Sequence, residues 1–181
     1  VCDAQGHLFV ADDRNRRIQE FDEEGQYIRS ITWVDPKYDK PAQPRDVNFD
    51  PNGRLWAVYT ANNKVVRFDA YGDADLIIGE EGSNLGQFDL PRYIAFDVRN
   101  AAYISDHKNH RIQKFAEDGR FLYSYGFPGR ASGQLNFPEG VAVDRDGNII
   151  IAEAGNKRVQ TFVVRKLIRY SNRAFVHFES A

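Results

Sequence analysis

The chain has 181 residues, 42% of them apolar, and 24 basic against 26 acidic side chains give a formal net charge of −2. This length suits one domain with a sizeable core, and the near-neutral total excludes a uniformly basic nucleic-acid coat without excluding a local basic face. Cys2, the only cysteine, rules out an internal disulfide and fits a reducing, cytoplasmic setting, while no run of 18 apolar residues is present to span a membrane.

A 47-residue period organises the chain. Gly6, Gly53, Asn100 and Gly147 share it, as do Asn15, Asn62, Asn109 and Asn156 nine residues on, and Phe21, Phe68, Phe115 and Phe162 fifteen residues on. A strict period of this length indicates a repeat architecture. Such scaffolds present loops to partners more often than they enclose one catalytic pocket. The units are read as 1–43, 44–90, 91–137 and 138–172, followed by a divergent tail, 173–181.

The first unit opens with Val1-Cys2-Asp3, already inside a repeat, and the chain contains no methionine. A true N-terminus further upstream is expected, so the lack of a signal peptide is uninformative. The connector out of this unit, Trp33 to Pro41, is rich in proline and aromatics. It is read as a loop packed on Trp33, with a recognition loop as the alternative. The second unit ends in a different connector, Gly79, Gly82, Gly86, Gln87 and Phe88 before Pro91. That arrangement recurs as Gly126, Gly129, Gly133, Gln134 and Leu135 before Pro138. Glycines supply the positive φ of a looping crossover, and a proline at a strand start forfeits only a dispensable donor.

The third unit gives the clearest strands. Tyr93–Asp97, Ala101–Ser105, Arg111–Phe115 and Phe121–Tyr125 are short and bounded by turn residues. Four antiparallel strands per unit describe a propeller blade, so the fold class is all-β. In the fourth unit the last strand falls at Leu167–Ser171, and the pattern then fails at Asn172-Arg173 with no glycine-rich connector. Ala174–Phe178 alternates like a strand. It offers an alternative in which the tail completes the first unit and closes a small ring.

An acid precedes a base by five residues in three units: Asp12 and Arg17, Asp106 and Arg111, Glu153 and Arg158. In the second unit both change together, to Tyr59 and Lys64. Such pairs predict an ion pair that fixes the loop, in preference to a ligand site. The asparagines are read as satisfying loop backbone or taking left-handed geometry, and the phenylalanines as core between blades.

The segments GHLFVADDRNRRIQEFDEEG, AAYISDHKNHRIQKFAEDGRFLYSYG and PEGVAVDRDGNIIIAEAGNKRVQTF resemble NHL repeats, and GSNLGQFDLP resembles the NHL inter-blade loop. The likeness covers residues 1 to 172. It implies a β-propeller of NHL type, usually a ring of six blades, of which about four are present here. In a propeller the second-to-third-strand loops and the connectors share one face. Arg14, Arg16, Arg45, Lys64, Arg92, Lys108, Arg130 and Lys157 fall there. Asp22, Glu23, Glu24, Asp69, Asp73, Glu117, Asp118, Asp144 and Asp146 fall on the other.

The partner-binding face is therefore assigned to Arg14, Arg16, Arg45, Arg92, Tyr93, Lys108, His110 and Lys157. The first expectation is a non-catalytic scaffold for a protein partner. The second is single-stranded RNA, since arginines beside aromatics suit phosphates and bases. NHL domains of tripartite-motif-type proteins bind RNA on this face, which the resemblance carries over as an expectation. Glu139 breaks the Pro-Arg pattern of Pro44-Arg45 and Pro91-Arg92 and weighs against it. The third alternative is a metal-dependent lyase or hydrolase. Amidating lyases of this repeat type hold metal through histidines at inner-strand entrances, where this chain has Arg45, Arg92 and Glu139. His7, His107, His110 and His177 do not form a three-ligand set by spacing. No catalytic residue, metal or cofactor is assigned.

Overall fold

A carboxylate shapes the first hairpin turn of each blade. Asp3, Asp50, Asp97 and Asp144 lie 47 residues apart. Oδ1 of Asp50 accepts the main-chain N–H groups of Asn52 and Arg54 at 2.9 and 3.0 Å. The other three take the N–H groups two and four residues on in the same way. The turn then needs a left-handed residue, and Gly6, Gly53, Asn100 and Gly147 supply φ of 87°, 77°, 62° and 88°.

The computed structural model describes residues 1–164. The strands expected at Leu167–Ser171 and Ala174–Phe178, and the tail 173–181, lie outside the described residues. The first sheet contains β1 (Leu8–Asp12), β2 (Arg17–Phe21) and β3 (Tyr27–Ile31), and Cys2 adds a single bridge to Leu8 where an inner strand would run. A two-stranded ribbon, β4 (Val34–Asp35) and β5 (Lys40–Pro41), lies in the first connector. The second sheet is β6 (Asp46–Phe49), β7 (Leu55–Tyr59), β8 (Lys64–Phe68) and β9 (Ala74–Ile78). The third is β10 (Pro91–Phe96), β11 (Ala102–Asp106), β12 (Arg111–Phe115) and β13 (Phe121–Tyr125). The fourth contains β14 (Pro138–Val143), β15 (Ile149–Glu153) and β16 (Arg158–Phe162). Every neighbouring pair within these sheets is antiparallel. The last two strands of the third unit fall where the alternation places them, whereas β10 runs Pro91–Phe96 against the expected Tyr93–Asp97 and β11 lies one residue later than Ala101–Ser105.

Three bulges recur in register, at Glu20/Phe21, Arg67/Phe68 and Lys114/Phe115. The extra residue there, Ile28, Asp75 or Leu122, lies on the outermost strand of its sheet, bends that strand and adds twist, as a fan of small sheets requires. The apolar core lies between blades. Ile31, Trp33, Leu55, Tyr59 and Phe68 are among the residues joining the first sheet to the second. Trp56, Val65, Phe88 and Ile104 help join the second to the third, and Tyr103, Ile112, Leu135 and Ile151 help join the third to the fourth. Phe68, Phe115 and Phe162 are buried as expected of core, each worth about 1.5–3 kcal/mol, whereas Phe21, in the first sheet, is only half-buried. Nearer the hub, Oδ2 of Asp46 accepts the Ile94 N–H at 3.0 Å and Asn48 Nδ2 donates to the Ile94 carbonyl at 3.0 Å. These two bonds tie adjacent inner strands.

Candidate partner-binding face

The polar residues with the strongest periodicity are occupied by the fold itself. In the third blade Asp106 accepts Arg111 Nε at 2.7 Å, Asn109 Nδ2 at 2.9 Å, and Gln113 Nε2 at 3.0 Å. These donors then reach across to the connector that enters the blade. Arg111 donates to the carbonyls of Ser83, Asn84 and Gln87 at 2.8 to 2.9 Å. Asn109 donates to the Gly82 carbonyl at 2.9 Å, and Gln113 accepts the Gly86 N–H at 2.9 Å while donating to the Gln87 carbonyl at 2.6 Å. Asp106 itself accepts the Asp89 N–H at 2.8 Å.

The fourth blade repeats the arrangement. Glu153, Asn156, Arg158 and Gln160 hold Gly129, Arg130, Ala131, Gly133, Gln134 and Asn136. The two carboxylates are both shielded from solvent, but Asp106 lies deeper, and their shifts run in opposite directions. Burial pushes Asp106 up and outweighs its donors. Burial also opposes ionisation of Glu153, but Arg158, Gln160, Asn136 and Asn156 together outweigh it and hold the carboxyl below its ordinary value.

The expected acid–base pairs are therefore present and structural, at 3.0 Å for Asp12–Arg17 and 2.7 Å for each of the other two. The glutamines completing them, Gln19, Gln113 and Gln160, were legible at the same period but do not stand out beside the charges. In the second blade the exception has a cause. Tyr59 is buried with its ring 4.7 Å from that of Trp33, and Asp35 of the ribbon replaces the missing carboxylate by accepting Asn62 Nδ2 at 2.6 Å. Lys64 Nζ donates to the Gly79 carbonyl. Trp33 itself is buried in the core between the first two sheets. Of the two roles expected of the asparagines the first is found, since Asn109 and Asn156 donate to the loop carbonyls of Gly82 and Gly129, and none of the four takes the left-handed turn. The residue after each does, with φ of 59° at Arg16, 53° at Asn63, 55° at His110 and 52° at Lys157. The asparagine side chain is spent on the carboxylate and connector, so the bend passes to its neighbour.

The assigned face residues separate into two groups. The side chains of Arg14 and Lys157 are exposed and bond to nothing among the described residues; Arg16 reaches only the Pro41 carbonyl at 3.3 Å, and Lys108 sits 3.9 Å from Asp89. The Arg45 guanidinium lies 5.8 Å from the centroid of the Tyr93 ring. The neighbouring Arg92 has a buried Nε with no partner.

His110 belongs to the second group, spent on packing. Its Nδ1 accepts the Phe137 N–H at 3.1 Å, which places the ring proton on Nε2. Burial, followed by the nearby His107, lowers its pKa. The rings of His107 and His110 lie 5.1 and 4.5 Å from that of Phe137. Sequence reasoning missed the apolar members of the face. Tyr38, Leu85 and Phe127 sit on the connectors with exposures of 49%, 63% and 57%. On the other face Asp3, His7 and Glu20 bring ligand atoms within 4.8 Å of one another. Arg29 Nε already donates to Glu20 at 2.6 Å, so a side-chain cation supplies the balancing charge.

Comparisons with known proteins agree with this architecture. The NHL repeat family model matches residues 135–162, the stretch from the Gln134 connector through β16. No curated protein matches the sequence. Among solved structures, a catalytically inactive virginiamycin B lyase from Staphylococcus aureus, with quinupristin, superposes with TM-score 0.70 at 20% identity, over 90% of this chain and 50% of that one. An auxiliary nutrient binding protein from Bacteroides thetaiotaomicron gives 0.69 at 17% identity over 86% and 44%. A Lactobacillus plantarum protein gives 0.67 at 14% identity over 98% and 54%. The chain spans about half the length of these structures, and identities this low speak to fold alone. The chain folds as an arc of a β-propeller, with four blade-like antiparallel sheets among the described residues, and it is similar to the NHL repeat over residues 135–162.

Proposed function

We propose that the connector face is a non-catalytic recognition surface for a protein partner. One observation carries this reading. In the third and fourth blades the carboxylates, asparagines and arginines best placed for chemistry are consumed in holding connectors, while exposed cations and aromatics remain. Arginine with aromatic residues is the composition of binding hot spots. Loops on a rigid scaffold are where such contacts concentrate.

Capture experiments on the chain and on a Tyr38→Ala, Leu85→Ala, Phe127→Ala variant test it. The reading predicts a specific protein retained after ribonuclease treatment and lost with the variant. A second reading, single-stranded RNA, rests on Arg45 over Tyr93 beside the unpartnered Nε of Arg92. An oligonucleotide complex that weakens steeply with salt and is lost with Arg45→Glu and Arg92→Glu would replace the first reading with the second.

A further inference from the structure

Each hairpin-turn carboxylate has a second oxygen, and in three blades side chains of the same blade occupy it. Oδ2 of Asp50 accepts Arg54 Nε at 2.8 Å and Trp56 Nε1 at 3.0 Å. Oδ2 of Asp97 accepts Lys114 Nζ at 3.0 Å and the Tyr103 hydroxyl at 3.1 Å. Oδ2 of Asp144 accepts Asn148 Nδ2 at 2.8 Å. At the 47-residue spacing these donors correspond to three residues of the first blade. Arg54 and Asn148 match His7, Trp56 and Tyr103 match Phe9, and Lys114 matches Glu20. Phe9 has no donor, and Glu20 brings a second negative charge where Lys114 brings a positive one. Asp3 Oδ2 accordingly accepts no hydrogen bond among the described residues and lies 3.7 Å from His7 Nδ1.

We propose that Asp3, His7 and Glu20 form a zinc-type divalent-cation site that ties the first hairpin turn to β2, the task of Lys114 in the third blade. One ligand atom from each lies within 4.8 Å of the others. His7 Nδ1 stands 3.0 Å from Glu20 Oε1 and 3.7 Å from Asp3 Oδ2. Nitrogen and oxygen ligands about 2.0–2.2 Å from one ion lie about 3–4 Å apart, so these two separations already suit a shared ion. An imidazole with two carboxylates is a ligand set for Zn2+.

The remaining carboxylate oxygens hold the ligands in place. Asp3 Oδ1 accepts the turn N–H groups of Gln5 and His7 at 2.9 and 2.8 Å. Glu20 Oε2 accepts Arg29 Nε at 2.6 Å, and Arg29 Nη1 is fixed by the carbonyls of Ala70 and Tyr71 at 3.3 and 3.1 Å. Arg29 thus orients Glu20, as outer partners of metal ligands do, and balances that carboxylate while Asp3 keeps no cation of its own. His7 Nδ1 donates to Glu20 Oε1 in the ion-free chain; as a ligand the ring carries its proton on Nε2. Both carboxylates line the cleft between the first two sheets, and the His7 side chain is 33% exposed, so an ion reaches the cluster from solvent. The site lies on the face opposite the connectors and is independent of the function proposed there.

Calorimetric titration of the chain with Zn2+ tests the proposal, with the histidine ring signals followed by NMR. A saturable shift of the His7 ring in the micromolar range is expected, with His107 and His110 unmoved. His7→Ala and Glu20→Gln should each weaken it roughly tenfold or more, since loss of even an outer partner of a ligand costs that much. Glu20→Gln keeps the side chain's size and an oxygen for Arg29, so a loss there does not report unfolding. Glu24→Gln, which removes an exposed acid from the same face, should leave the affinity unchanged. A His7 ring that stays unmoved at millimolar Zn2+, shifts confined to His107 and His110, unchanged affinity in Glu20→Gln, or equal weakening by Glu24→Gln would overturn the proposal.

Discussion

Arg111 and Gln87 meet across a blade boundary: Nη2 of the arginine donates to the main-chain carbonyl of the glutamine at 2.8 Å. The same guanidinium is anchored from behind by Asp106 at 2.7 Å. Together they convert an irregular connector into a fixed edge of the next blade. Backbone carbonyls buried by such a crossover need partners, and here one side chain satisfies three of them.

Removing the anchor should be costly. Asp106→Ala would leave Arg111, Asn109, Gln113 and the Asp89 N–H without their shared acceptor, and a loss of about 3–5 kcal/mol is expected. Asp12→Ala, at the exposed counterpart, should have a much smaller effect. Urea denaturation of the two variants measures the contrast; equal losses would contradict it.

Glycine is required in the connector for space as well as conformation. At Gly79, φ is 88° and an added Cβ would meet Phe88 Cδ2 at 2.3 Å. Gly79→Ala should cost about 1–2 kcal/mol from the left-handed backbone and about 1–3 kcal/mol more from overpacking. Gly53 has φ of 77° but nothing within 4 Å of the added atom, so Gly53→Ala should show only the backbone part. Denaturation midpoints separate the two.

Asp46 supplies a pH dependence of unusual sign for a carboxylate. Burial pushes it from the ordinary 3.8 up to about 6, against the N–H groups of Ile94 and Val47, which lower it. A raised folded-state value means that ionisation opposes folding. The stabilising contribution of neutral Asp46 is present below about pH 4 and is lost as the pH rises to about 6. Asp46→Asn keeps an oxygen for the Ile94 N–H and should be more stable than the parent above that window, by at most about 3 kcal/mol. A stability difference that does not vary with pH would refute this.

The face residues lend themselves to a binding measurement. Under the protein-partner reading, Tyr38→Ala with Phe127→Ala should weaken partner binding by about 2 kcal/mol or more. His110→Ala should act chiefly through stability, since its ring packs on Phe137. A His110→Ala variant of unchanged stability but lost binding would return that residue to the contact surface.

Most of the fold is readable from the period. Strand bounds at Arg111–Phe115 and Phe121–Tyr125 follow from alternation and turn chemistry, and the Asp106–Arg111 spacing predicts the ion pair because both elements are local. Contacts between blades are harder to read. Nothing in Gln113 itself says that its amide reaches Gln87 and Gly86, 26 and 27 residues upstream. The turn carboxylates Asp3, Asp50, Asp97 and Asp144 share the period of the glycines and could have been found by the same comparison. His110 reads as a face residue in sequence, and only the nearness of Phe137 shows that its ring is packed. The exposure of Leu85 and Phe127 depends on connector geometry, which composition does not fix.

The central claim is that the repeated carboxylate, asparagine, arginine and glutamine hold the connectors as part of the fold. Amide hydrogen exchange at Gly86, Asp89, Gly133 and Asn136 tests it most directly. All four N–H groups should be protected, and Gln113→Ala should release Gly86 while leaving Gly133, held by Gln160, protected. Exchange at the rate of an open loop in the parent chain, or unchanged protection of Gly86 in the variant, would contradict the account.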